Sequence, residues 1–247
     1  IRTMKKKGMN NDNTNWYQKV PKQFQITTHN PSYENHYIQI PCRILTVSVS
    51  GGGKTSNALE LISRMKNTFT HIHVCLKDKD EPLYQTLADK IGPDAITFYE
   101  ITKQKKKRGE DTPSLNIPSL DAIANNTNQL IIFDDLVLEK DQSQIEDYFI
   151  RARKKNLSCL YLSQYYYKTP RVVRLNSNYL ILKKLGSNKD LKAIFRESNL
   201  DIDENLLVKF YKYCLTKPFG FLLIDRDDND GKTFRCGFKQ FFITEES

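Results

Sequence analysis

The chain has 247 residues, 39% of them hydrophobic, and 38 Lys and Arg stand against 29 Asp and Glu for a net charge of +9. That length suggests one large domain, or one domain with extensions, and enough apolar residues for a core. The apolar runs are too short for a membrane span, and the polar, basic start from Ile1 to Asn15 lacks the apolar stretch of a signal peptide, so a soluble intracellular protein with no membrane partner is expected. Five cysteines (Cys42, Cys75, Cys159, Cys214, Cys236) show no Cys-x-x-Cys spacing and read as reduced core residues, not as a zinc site or disulfide framework. The basic charge suits a polyanionic partner such as nucleic acid, and equally suits basic tails and loops that only keep the chain soluble.

Residues 1–34 are polar, with Met4-Lys5-Lys6-Lys7 and a run from Asn10 to Asn15, and read as a mobile arm before a domain spanning 35–247. Tyr37-Ile38-Gln39-Ile40 alternates like a strand. From Ile44 an apolar, β-branched run leads into Ser50-Gly51-Gly52-Gly53-Lys54-Thr55-Ser56, after which Ala58, Leu59, Leu61 and Ile62 recur at helical spacing. Strand, glycine loop, helix is the order a phosphate-binding loop requires. The glycines let consecutive N–H groups turn onto an anion at the helix N-terminus, where the dipole favours negative charge. Ser48 takes the place of the first glycine in the pattern Gly-x-x-x-x-Gly-Lys-[Ser/Thr]. Lys54 is expected to reach the β and γ phosphates of ATP, and the Thr55 hydroxyl to ligate Mg²⁺. The competing reading is a flexible glycine turn with a solvated lysine.

A second strand runs from Thr70 to Leu76. His71 and His73 share a face there without a third ligand at metal spacing, so they read as ordinary strand histidines. Asp80-Glu81-Pro82-Leu83-Tyr84 looks like a helix start, with an apolar face at Leu83, Leu87 and Ile91, and Ala95 to Tyr99 is a third strand. The loop 103–111 concentrates Lys105, Lys106, Lys107 and Arg108, either as a solvated edge or as a contact to a DNA backbone.

Leu130-Ile131-Ile132-Phe133 followed by Asp134 and Asp135 is a buried strand that delivers two acids to the sheet edge where open α/β sheets bind ligands. Asp134 is expected to hold Mg²⁺, through water or by way of Thr55, and Asp135 to orient and polarise the attacking water. The spacing back to the glycine loop leaves room for a strand inserted between the two in the sheet. A helix is expected from Asp141 to about Lys155, then a buried strand from Leu157 that ends in Gln164, placed to sense the γ-phosphate or the water. Tyr165 to Arg174 mixes aromatics with cations and reads as packing beneath the sheet edge ahead of stacking on bases. Tyr179 to Leu182 is a further core strand. Helices over 188–197 and 203–215, a late strand over 220–225, a turn at Asp227 to Gly231 and a last strand from Thr233 to Phe242 complete the chain.

Together Ser50-Gly51-Gly52-Gly53-Lys54-Thr55, Asp80-Glu81-Pro82-Leu83-Tyr84, Leu130 to Leu136, and Tyr161-Leu162-Ser163-Gln164 with Pro170 and Arg174 resemble the genome-packaging ATPases of virophages, Polinton-type elements and large DNA viruses, a branch of the FtsK–HerA superfamily. The resemblance spans about Ile44 to Leu182. It implies a RecA-like, ASCE-type P-loop fold of three layers, with a mainly parallel central sheet and a C-terminal β-hairpin. It further implies a hexameric or pentameric ring that uses ATP and Mg²⁺ to drive double-stranded DNA into a capsid at a portal or vertex protein, in a viral factory of the host cytoplasm or a nascent virion. Asp134 corresponds to the Mg²⁺-binding acid, Asp135 to the catalytic carboxylate, a Glu in many relatives, and Gln164 to the sensor. An arginine from the neighbouring subunit is expected to stabilise the transferring phosphoryl group, with Arg153 first and Arg151 and Arg174 behind it. Two other readings share these residues: a HerA-like translocase in repair or transfer, and a basic DNA-binding structural protein with a vestigial nucleotide site.

Overall fold

A computed structural model describes residues 19–21, 28–101, 117–123, 127–198, 200, 202–228 and 231–243. Its centre is a nine-stranded sheet. The strands are β1 (Arg43–Val47), β2 (His71–Leu76), β3 (Ile96–Glu100), β4 (Gln129–Asp134), β5 (Leu157–Ser163), β6 (Tyr179–Leu182), β7 (Leu222–Asp225), β8 (Phe234–Cys236) and β9 (Gln240–Phe241). Their order across the sheet is β3-β2-β4-β5-β1-β6-β7-β8-β9. The first six are parallel to their neighbours, and β7, β8 and β9 add on antiparallel. β5 lies between β1 and β4, the inserted position expected from the spacing.

Parallel strands are covered on both faces, and their sequences are accordingly near-continuous apolar runs. In β4, Leu130 and Ile132 face one layer, with helices α1 (Lys54–Arg64) and α2 (Pro82–Ile91), while Ile131 and Phe133 face the other. That second layer holds α3 (Ser143–Arg151), α4 (Arg171–Asn176), α5 (Asn188–Ser198) and α6 (Glu204–Leu215). The result is the three-layer arrangement expected, with the late antiparallel strands closing one edge. All five cysteines are buried and unpaired. Among the described residues no helix is long and apolar enough to cross a membrane.

Several expectations change. Residues 37–40 are not a strand, although Ile38 is buried. Tyr37 takes a left-handed φ of 54°, and the backbone donors there go to side chains: Ile38 N–H to His36 Nδ1 at 3.0 Å and Gln39 N–H to the Tyr179 hydroxyl at 2.9 Å. The segment is instead strapped down by Arg235 of β8. Its guanidinium, 2% exposed, donates to the Tyr37 carbonyl at 2.7 Å and pairs with Asp225. The last strand is broken in two, because Gly237 turns the chain at φ 69° and β9 folds back on β8. In α2 the buried face is Tyr84 and Leu87, with Ile91 36% exposed, so the helix is rotated from the face its apolar spacing suggested. The helix expected over 141–155 is α3 followed by a 3₁₀ turn, Ala152–Lys155.

Residues 29–34, placed with the arm by composition, lie against the rest of the domain. Asn128 Nδ2 donates to the His29 carbonyl at 2.9 Å, and Ser32 Oγ to the Lys66 carbonyl at 3.2 Å. The basic loop expected at 103–111, and the first 18 residues of the arm, lie outside the described residues.

Candidate active site

The site forms at the C-terminal edge of the parallel strands. β1 ends at Val47, and the chain stays tied to both neighbouring strands as it leaves: Ser48 N–H donates to the Ser163 carbonyl at 3.1 Å, and Val49 N–H to the Lys184 carbonyl at 2.9 Å. Gly51 and Gly53 then take left-handed φ values of 68° and 79°, which swing the loop over the start of α1. Gly53 is the N-cap of α1 and makes no side-chain cap, so the first N–H groups of the helix point into the loop. Ser50 and Gly51 are exposed on its outer side.

Ser48, in place of the first glycine, is fully buried, and its Oγ donates to the Lys184 carbonyl at 3.2 Å. A Cβ on Gly52 would overlap that Oγ, so the serine fills the space a glycine would have left and makes Gly52 obligatory. Lys54 curls back beneath the loop, 8% exposed, with Nζ 3.3 Å from the Ser48 carbonyl and 3.4 Å from that of Val49. Burial lowers its pKa, opposed by Asp135 and Asp134. The ammonium is thus held at the loop's centre by two weak carbonyl acceptors that an anion would replace.

Strand alternation puts Asp134 on the same face as Leu130 and Ile132, toward α1 and α2. There its Oδ2 accepts from the Thr55 hydroxyl at 3.1 Å and from the Tyr84 hydroxyl at 2.8 Å. Burial raises the carboxyl's pKa, and Tyr84, Thr55 and Lys54 each pull it down. Tyr84 is fully buried on α2. The same alternation along β5 brings Gln164 to this face after Leu160 and Leu162. Asp135 leaves β4 with a left-handed φ of 56°, and Gln164 Nε2 donates to both its carboxylate oxygens, at 2.8 and 2.9 Å. The turn after Asp135 is braced from below. Gln142 Nε2 donates to the carbonyls of Leu136 at 2.6 Å and Glu139 at 3.0 Å, and its Oε1 accepts from Tyr161 at 3.2 Å.

Asp134 and Thr55 supply one carboxylate and one hydroxyl, hard oxygen donors close enough to share a single ion. That set fits Mg²⁺, which takes few protein ligands and completes its octahedron with water and phosphate oxygens. Among the described residues there is no cluster of three or more His, Cys, Asp or Glu able to hold a metal unaided.

The sequence-picked residues Ser50, Gly51, Gly52, Gly53, Lys54, Thr55, Ser56, Asp134, Asp135 and Gln164 therefore converge on one edge. Arg153 does not join them. It lines a cleft of about 450 Å³ with Asp225, Asp227 and Asn178 at the opposite, N-terminal edge of the sheet. Arg151 pairs with Asp147 at 2.9 Å, and Arg174 is buried against Glu197, at 3.3 Å, and the ring of Tyr166. Of the aromatics that precede Arg174, Tyr166 packs in the core while Tyr165 and Tyr167 are exposed. Sequence reasoning missed the parts played by Tyr84, Ser48 and Lys183. Lys183 follows the buried strand β6 at the same sheet edge, 5% exposed, and a Cβ on Gly53 would lie 3.4 Å from its Cε. A cation at the end of a buried parallel strand was the signal available for it.

Residues 32–217 match the family model for the poxvirus A32 protein. The chain belongs to the poxvirus A32 protein family. A comparison with curated proteins found no match. Among solved structures, the genome packaging NTPase B204 from Sulfolobus turreted icosahedral virus 2 is similar in its sulfate complex, with a TM-score of 0.56 at 14% identity over 84% of this chain and 100% of that one. Its AMP complex gives 0.55 at 13% identity over 81% and 98%. EssC (ATPases 2 and 3) from Geobacillus thermodenitrificans gives 0.52 at 10% identity over 84% of this chain and 41% of its own. At such identities what is shared is the fold, the mixed α/β sheet of P-loop ATPases. The family and the fold agree with the resemblance carried by the sequence motifs.

Proposed function

We propose that this A32-family chain is an ATP-hydrolysing motor that drives double-stranded DNA into a viral capsid. One observation carries the reading: the loop lysine, the Thr55–Asp134 pair and the Asp135–Gln164 pair, drawn from three strands of the sheet, meet at one edge. The similarity to a genome packaging NTPase supplies the direction of the work.

In this reading the loop's N–H groups and Lys54 bind the β and γ phosphates of ATP. Asp134 and Thr55 hold Mg²⁺, which when bound neutralises charge on the phosphate oxygens. Asp135 accepts a hydrogen bond from water and turns its lone pair toward the γ phosphorus. The water oxygen bonds to the γ phosphorus as the bond to the bridging oxygen of ADP breaks, the water's proton passes by way of Asp135 to the phosphate released, and ADP and inorganic phosphate leave. Gln164 holds the Asp135 carboxylate until a γ-phosphate offers its amide another acceptor.

Arg153, in the turn before β5, sits at the end of the sheet opposite the loop, and even a five-residue strand such as β1 is about 16 Å long. Arg153 therefore acts, in this proposal, on a neighbouring subunit of a homo-oligomeric ring of five or six copies. Arg153→Ala is expected to bind ATP normally and to lose about 10³-fold or more in turnover, the scale of an arginine finger; turnover within a few-fold of wild type removes Arg153 from the mechanism. The net charge of +9 draws the DNA backbone, a portal or vertex protein receives the ring, and the work takes place in a viral factory of the host cell or a nascent virion.

The division of labour among the site residues is tested by nucleotide binding and turnover measured side by side. Lys54→Ala should lose both, because the charge facing the phosphates is gone. Asp135→Asn should bind ATP with near wild-type affinity and lose turnover by about a hundredfold or more. Loss of ATP binding in Asp135→Asn, or wild-type turnover in Lys54→Ala, contradicts the assignment.

A further inference from the structure

A cavity of about 410 Å³ opens beside the phosphate loop, within the range of about 300–1,000 Å³ usual for small-ligand pockets. Gly53, Ser56 and Asn57 form one wall, and Lys183, Phe219 and Phe221 the other. Its floor is aromatic, with the ring of Phe221 edge-on to that of Phe238 at 4.9 Å between centroids.

Two features of this cavity have no use in the fold itself, and a third ties it to the phosphate loop. Phe219, in the turn between α6 and β7, is 88% exposed and sits at φ 55°, a conformation that favours glycine. Packing therefore explains neither the large aromatic side chain nor its strained backbone. Asn57 is 5% exposed, and its Oδ1 finds no donor among the described residues. A buried acceptor without a donor is costly, and the wall it belongs to is the first turn of the loop helix. Lys183 Nζ donates to the Phe219 carbonyl at 3.1 Å while its stem runs alongside Gly53, so one buried lysine joins the phosphate loop to the aromatic turn. Burial lowers the pKa of that ammonium.

From this we infer that the cavity is the nucleoside subsite: the base stacks on the exposed Phe219 ring, and Asn57 Oδ1 accepts a hydrogen bond from a donor on the nucleoside. Continuity fixes the occupant. Gly53 and Ser56 belong both to the loop that takes the phosphates and to the wall of the cavity, so a bound nucleotide extends from one into the other. The inference rests on reading the loop as a nucleotide site. Stacking accepts any base with a π face, so Phe219 contributes affinity more than choice of base.

The test compares two probes, a non-hydrolysable ATP analogue and inorganic tripolyphosphate, each with Mg²⁺, titrated into wild type and Phe219→Gly. Glycine removes the ring and is at ease at that φ, and the exposed position leaves the core intact. Phe219→Gly should weaken the ATP analogue about five- to hundredfold, the range for one base stacked on an aromatic ring, and leave tripolyphosphate unchanged. Asn57→Ala should show the same selective loss. Unchanged affinity for the ATP analogue in both variants overturns the subsite. Equal weakening of both probes also overturns it, because the turn would then be bracing the loop. A wild-type protein that binds neither probe overturns the nucleotide reading itself.

Discussion

At the scale of single residues, the substitution of Ser48 for a glycine alters the loop without breaking it. The hydroxyl is buried, donates to Lys184, and occupies the space directly in front of Gly52. The two positions are therefore coupled. Gly52→Ala should cost about 1–3 kcal/mol in unfolding free energy, as overpacking in a tight site does, and should depress ATP binding. Ser48→Gly introduced on top of it should return at least half of that loss, since only the Val49 carbonyl at 3.0 Å then crowds the new methyl. Denaturant unfolding of the two single variants and the double variant gives the coupling directly, and strict additivity would show that the Ser48–Gly52 contact does not matter.

At the scale of elements, each piece of the sheet edge delivers one group. β4 delivers the two acids, β5 the glutamine, and α2 the tyrosine that fixes Asp134. Tyr84 donates to the same oxygen that receives Thr55, which leaves Oδ1 as the oxygen open to a metal. Tyr84→Phe keeps the buried ring and loses only the donor. It should raise the Mg²⁺ concentration needed for half-maximal turnover by about tenfold, the effect of removing a group that orients a metal ligand, with melting temperature and Mg²⁺-free nucleotide binding little changed. An unaltered Mg²⁺ dependence would leave Tyr84 with packing alone.

The elements also show what the sequence makes legible. The glycine loop, β4 and β5 were readable because apolar runs, glycines and acids follow one another locally, and the parallel sheet enforces their order. Gln164 could be placed because a polar residue ends a buried strand. The segment 37–40 misled because alternation of apolar residues is also what a strapped-down coil shows when Ile38 happens to be buried. Its true partners, Tyr179 and Arg235, are 140 and 198 residues away. The cavity of Phe219, Lys183 and Asn57 was not legible at all. Its walls come from three separate stretches of chain, and only the fold of β6 and β7 beside α1 brings them together.

At the scale of the whole molecule, the nucleotide edge and the arginine-bearing edge lie on opposite sides of one sheet. In the proposed function a single copy carries the groups that bind ATP, and a ring would bring the second edge of one copy to the first edge of the next. The net charge of +9 gives such a ring an attraction for DNA that should weaken steeply with salt. The decisive measurement for a DNA-driven ring is steady-state ATP hydrolysis by the wild-type chain across protein concentration, with and without double-stranded DNA, at about 50 and 200 mM salt. A ring motor gives turnover that rises more than linearly with protein concentration, is stimulated by DNA, and loses that stimulation at the higher salt. DNA binding that is tight and salt-sensitive, without ATP turnover at any concentration, would contradict it.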